Sequence, residues 1–555
     1  PKFPSSGGKG LDMGDYTMNS KKLTKYRKRT GFALFAACSF ALTSAVPALA
    51  EGELRLAMSA NSEPANLDYQ VDPYTVTMLI NSFMTDPLVV RASDGSFVPG
   101  LATAWESSED AKTVTLTLRE GVTFQDGTPF NADAVVYNIE RILAPETGSA
   151  LLASEVGPLG SVEALDAMTV QFNYNEPWVT FFDMASKAPM WSPTAAAAST
   201  PSEFDKKLIG TGPFQLVEWK PNDYILMESW DGYRGSNDAV ALKGPAQVDT
   251  VRLQWIAEPA VHGLVVATGE ADVSYMIPAL ATDQYKNASG VSLLAMGQPG
   301  VGLQMIMNVR NQPLSDKRVR QALLYGRNMD QVNDILYDGL YGKADGPLNN
   351  IHPCFWEGAS DMYSYDPSKA KALLDEAGWV EGSGSLRIAK GVDGVEDGTE
   401  LSISWTVLHH AEIGEVVQAQ LLNIGVGIEV EQVPGPVQLE RRNAREFELM
   451  YERLRSMDPK ILDDIWNSKY DVPGGWNWGG YVDPELNAVL EIVSGDPNFD
   501  RRCDAAKKAQ EMIMTEALNF PTLAQPSYTA ISDDVSGFKL GATGTHFFLH
   551  DVSLN

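Results

Sequence analysis

Few of the 555 residues fall into arrangements that make or break bonds. The six histidines, His262, His352, His409, His410, His546 and His550, form no H-E-x-x-H pair, and the three cysteines form no C-x-x-C. Neither a structural nor a catalytic zinc site is therefore expected. The chain has no G-x-S-x-G elbow, no G-x-x-x-x-G-K-[ST] phosphate loop and no complete G-x-G-x-x-G. Acidic pairs are common, as chance dictates with 72 Asp and Glu. What remains is chemistry of non-covalent recognition. Gly474-Gly475-Trp476-Asn477-Trp478-Gly479-Gly480-Tyr481 sets two indoles, an amide and a phenol among glycines. In an extended segment alternate side chains share a face, so Trp476 and Trp478 could stack on one flat apolar surface such as a sugar ring. Packing of the same indoles in the core is the alternative. The expectation is a binding protein without cofactor or metal, not an enzyme.

The elements that must carry such residues are strands and helices in succession. Thr113–Leu118 (TVTLTL) alternates apolar and polar β-branched residues, the pattern of a half-buried strand. Asn131–Leu143 predicts a helix with Asn131 as its N-cap and Ala134, Val135, Ile139 and Ile142 on one stripe. Asp366-Pro367 opens a helix over Ser368–Ala377, with Gly378 as its stop. Ser402–Val407 and Gly427–Val433 predict strands flanking a helix at Ile413–Asn423. Mixed α/β sheets follow from this order. No flexible linker separates the parts.

From Met18, a basic stretch (Lys21, Lys22, Lys25, Arg27, Lys28, Arg29) precedes an apolar run from Gly31 to about Ala45 and the small-x-small triplet Ala48-Leu49-Ala50. That is the pattern of a cleaved export signal ending near Ala50, too short to span a bilayer. Cys38 faintly resembles a lipidation site, but the apolar run continues past it. Residues 1–17 carry no fold information. The net charge is −29, and without residues 1–50, which hold eight Lys/Arg and two Asp/Glu, it becomes −35. Such a surface repels nucleic acid and anionic membranes. Export permits a disulfide between Cys354 and Cys503. With the two so far apart in sequence, a pair of buried thiols is the favoured reading.

Pro99–Leu143 (PGLATAWESSEDAKTVTLTLREGVTFQDGTPFNADAVVYNIERIL) carries, in order, a Leu-Ala…Trp segment, a strand, Leu-Arg-x-Gly-Val-x-Phe, Asp-Gly-Thr-Pro and a helix. It resembles the most recognisable segment of the family 5 (oligopeptide/dipeptide class) extracellular solute-binding proteins. Ile209–Tyr233, Pro313–Asn328, Tyr365–Trp379 and Gly480–Leu490 match further landmarks of that family. The resemblance implies a two-lobed, hinge-closing α/β fold of the large periplasmic-binding-protein class. Its first lobe would be split over 51–83, 209–300 and 526–555, with a subdomain of 84–208 inserted and a second lobe of 301–525. It also implies a periplasmic monomer that captures a small molecule between its lobes and passes it to the membrane permease of an ABC importer.

Against that family the chain departs at both places that hold a dipeptide. With the family's Asp-Pro landmark on Asp458-Pro459, the ammonium-binding carboxylate falls on Arg455, within Glu452-Arg453-Leu454-Arg455. The strand that supplies a carboxylate-binding arginine falls on Ser404–His410, which has none. A guanidinium facing a peptide ammonium repels it, whereas it holds phosphate or carboxylate bidentately. The expected ligand is thus a polyhydroxylated anion, such as an opine or sugar phosphodiester. An oligopeptide or neutral oligosaccharide is the alternative. The expected contacts are Arg455, Arg453, Trp476, Asn477, Trp478, Tyr481, His409 and His410, with intramolecular ion pairing as the competing reading for both arginines.

Overall fold

The computed structural model describes residues 52–555 except 73, 93–94, 236, 286–287, 473–474 and 544–545. The export signal and Cys38 lie outside the described residues. Three sheets organise the rest. The first has seven strands in the order Val291–Met296, Ser527–Ser532, Val273–Ile277, Glu53–Ser59, Thr250–Ile256, Tyr224–Ser229 and Phe214–Lys220. Its central strand, Glu53–Ser59, runs parallel to both neighbours, and the outer pairs are antiparallel. The second has five strands in the order Gly427–Gln432, Ser402–Val407, Leu449–Arg455, Gly300–Met307 and Asn519–Pro521. The third is an antiparallel four-stranded sheet of Ala102–Ser107, Thr113–Leu118, Thr169–Tyr174 and Leu159–Asp166.

Local chemistry accounts for these elements. The Asn131 side chain accepts a hydrogen bond from the Ala134 amide at 3.0 Å and caps the helix Ala132–Leu143. Ala134, Val135, Ile139 and Ile142 of that helix are all buried against the four-stranded sheet. Asp366 caps Pro367–Glu376 through the Lys369 amide at 2.9 Å, and Gly378 follows at φ +89°, where a Cβ would be strained. Ser402–Val407 and Gly427–Gln432 pair in parallel around the helix Ala411–Leu422. Gly300–Met307 is buried along its whole length. Leu303, Met305 and Met307 enter one core cluster of this sheet, and Val301 and Ile306 enter the other. A strand covered on both faces reads as a near-continuous apolar run, and this one is interrupted only by Gln304, itself buried.

Two short segments join the seven- and five-stranded sheets. Residues 297–299 lead from Val291–Met296 into Gly300–Met307, and residues 522–526 return from Asn519–Pro521 to Ser527–Ser532. The second sheet is also stapled. Cys354 and Cys503 form a disulfide, with Cα atoms 4.8 Å apart, which corrects the expectation of two thiols. Sequence distance proved no guide, because the Cys354 segment lies along the helix Phe499–Thr515, where Gln510 Nε2 donates to the Cys354 carbonyl at 2.8 Å.

Candidate functional site: a cationic cavity beside the strand Leu449–Arg455

On the strand Leu449–Arg455 the side chains of Tyr451, Arg453 and Arg455 share one face by the two-residue period. All three line a cavity of about 510 Å³. His409, just past the strand Ser402–Val407, completes this wall. The other lining residues come from segments around the helix Thr75–Met84, around Glu155 and Lys187, and just before the strand Phe547–Phe548. Tyr74 stands exposed at the start of the helix Thr75–Met84, Arg91 ends the strand Val89–Arg91, and Glu155 and Lys187 complete the wall.

The two walls treat charge differently. Across the cavity, Lys187 Nζ lies 2.9 Å from Glu155, and Arg91 pairs with Asp183 while its guanidinium sits 4.3 Å over the Phe97 ring. Burial opposes the Lys187 charge, but Glu155 and Asp183 outweigh it and hold its pKa above the ordinary lysine value. The partners of Arg453 and Arg455 are glutamine amides instead. Arg455 Nε donates to Gln298 Oε1 at 2.9 Å, Arg453 donates to the same oxygen, and Arg453 Nη1 donates to Gln525 Oε1 at 2.7 Å. Neither forms an ion pair among the described residues, so the competing reading of an internal salt bridge does not describe them. Burial, and then the neighbouring Arg453 charge, lower the Arg455 pKa to about 10, still cationic at neutral pH.

His409 is depressed by burial and by the nearby His410 and Arg453, and burial alone puts His546, on the cavity wall, at about 4. His352, buried elsewhere in the second lobe, also lies at about 4, chiefly by desolvation. A folded-state pKa below the unfolded value of about 6.5 gives stability that is complete above that pH and is lost as pH falls toward 4. Each of these two histidines accounts for roughly 3 kcal/mol of that loss. Melting temperature is therefore expected to be level above pH 6.5 and to fall steeply below it. The variant His352→Gln/His546→Gln should show a shallower acid slope, and a slope equal to wild type would remove the histidines from the explanation.

The remaining expected contacts are not brought to the cavity. His410 precedes the helix Ala411–Leu422 at φ +63°, with Nδ1 3.1 Å from Glu412 and 3.3 Å from the Tyr337 hydroxyl. Trp476 and Trp478 do stack, with ring centroids 6.0 Å apart, but within the apolar core of the second lobe. Trp478 is 4% exposed, beneath the Arg442 guanidinium at 4.0 Å. Asn477 is 2% exposed and donates to the Trp466 carbonyl at 3.1 Å, while Tyr481 packs on the same core. The reason is energetic: indole surface is worth more buried against the helices Ile461–Trp466 and Pro484–Gly495 than held open for a solute. Conversely, Arg91, Glu155, Lys187, Gln298 and Gln525 escaped the sequence reading. They come from separate segments, and no spacing marks them.

The profile of bacterial extracellular solute-binding proteins, family 5, matches residues 96–468. The chain belongs to that family. It is 28% identical over 461 residues to the nickel-binding periplasmic protein of Escherichia coli K12, covering 80% of each chain. To the dipeptide-binding protein of the same organism it is 27% identical over 479 residues, covering 81% of this chain and 85% of that one. The structure of NikA from Brucella suis with Fe(III)-EDTA superposes with a TM-score of 0.77 at 21% identity, covering 91% of this chain and all of the other. The architecture is thus the two-lobed periplasmic-binding-protein fold, and the role is that of the solute-binding component of an ABC importer. Among the described residues, no helix is long and apolar enough to cross a membrane.

Proposed function

We propose that this binding protein is exported to the periplasm, where it works as a monomer that closes on an anionic, polyhydroxylated small molecule and delivers it to a permease. An opine or a sugar phosphodiester has the required chemistry. The observation that carries the reading is the pair Arg453 and Arg455, which face the cavity bonded to glutamine amides and without an ion pair among the described residues. Two cations at one wall without a counter-carboxylate are an unfinished electrostatic arrangement, and an incoming phosphate or carboxylate completes it. Tyr69, Tyr74 and Tyr451 add hydroxyls and apolar ring faces for a polyol. One observation favours the second reading, an oligopeptide: Glu155, the one carboxylate among the described lining residues, suits an ammonium. With no bonds broken, a bound solute raises melting temperature without being consumed. The stabilisation is RT ln(1 + [L]/Kd), about 2.7 kcal/mol at 100 times Kd. A thermal-shift screen of opines, sugar phosphates, oligosaccharides and peptides should give its largest shifts with the anionic sugars. Peptides giving the largest shifts would transfer the proposal to the second reading.

A further inference from the structure

Gln298 belongs to the three-residue crossover between the two large sheets and is buried. Its one amide oxygen accepts from both cavity arginines, while its Nε2 is buried with no partner among the described residues. That orientation is enforced, since a flipped amide would set an NH2 group against two guanidiniums. The backbone beneath is clamped as well: Asn349 Nδ2 donates to the Gln298 carbonyl at 2.5 Å, and the Asn349 amide donates to the Gly300 carbonyl at 2.9 Å. With Nε of Arg455 engaged, its two terminal nitrogens have no bond within the chain among the described residues, and they remain for the cavity. Arg453 meanwhile donates to Gln298 on one crossover and to Gln525 on the other. The anion-binding wall and the joint between the lobes therefore share hydrogen bonds.

We infer that Gln298 is a positioning residue for the solute. By holding Nε it aims the Arg455 fork into the cavity, and it ties that aim to the crossover about which the lobes close. This inference rests on the anionic-solute reading. The test is a double-mutant cycle with a hexose phosphate as probe and free hexose as the uncharged control, read by calorimetry. Gln298→Leu keeps the side-chain bulk and removes the acceptor. It is expected to weaken hexose phosphate binding about tenfold in the wild-type background and less than about twofold when Arg455 is already Ala, because both changes remove the same interaction. Gln298→Glu is expected to abolish binding while raising the melting temperature of the solute-free protein, since a carboxylate there neutralises both arginines. Equal losses in the two backgrounds, or no loss from Gln298→Leu while Arg455→Ala still costs tenfold, would overturn the role of Gln298 and leave the anionic reading standing. If hexose phosphate does not bind wild type, or binds Arg455→Ala equally well, the anionic reading falls and takes this inference with it.

Discussion

Arg455→Ala is expected to weaken binding of an anionic sugar by roughly ten- to a hundred-fold. A charge-assisted, bidentate hydrogen bond in a partly water-excluded cavity contributes on the order of 1.5–3 kcal/mol, and tenfold in affinity corresponds to about 1.4 kcal/mol. Arg455→Lys should restore only part of the loss, because an ammonium is a point charge without the planar fork. The control is the solute-free melting temperature. Arg455 makes no ion pair among the described residues, and its half-buried charge lies close to that of Arg453. Removing it should leave solute-free stability unchanged or slightly improved. Calorimetry that gave Arg455→Ala wild-type affinity would strip the residue of its role, and a large fall in solute-free melting temperature would mark it as structural.

The second large effect concerns the staple in the second lobe. Cys354 and Cys503 are both buried, and their bond closes a loop across 149 residues of sequence. In the chain-entropy treatment a loop of that length restricts the unfolded state by about 5 kcal/mol. For a lobe of roughly two hundred residues that corresponds to a loss of about 10–20 °C in melting temperature. Cys354→Ser/Cys503→Ser, or wild type melted in the presence of a thiol reductant after unfolding and reduction, should show that drop. Superimposable melts for the oxidised protein and the serine variant would mean that the bond does not constrain the unfolded chain.

How far the sequence foretold this molecule depends on the range of the interactions involved. The cap at Asn131, the stop at Gly378 and the strand Thr113–Leu118 are decided within a few residues, and they appear where local chemistry predicts them. Arg453, Arg455 and His409 line the cavity because they sit on or just beyond strands of the second lobe that the family's landmarks place there. The tryptophan loop misled for a physical reason, since the features that suit an indole to a sugar face also suit it to a core. Gln298 and Gln525 carry no signal at all in composition or spacing. Their importance arises from two crossovers that lie over two hundred residues apart in sequence and meet at one arginine. The disulfide was illegible for the same reason.

The strand Ser527–Ser532 lies inside the seven-stranded sheet, between Val291–Met296 and Val273–Ile277, although it follows every strand of the five-stranded sheet in sequence. The five strands of the second lobe are complete by Pro521. Chain growth therefore permits the second lobe to assemble while the first still has a gap that only Ser527–Ser532 can fill. Until then Val291–Met296 has no strand beside it, and its backbone groups lack their ladder partners. Ser527–Ser532 thus acts as a keystone in time as well as in space. It postpones native packing of the first lobe until after every strand of the five-stranded sheet has emerged.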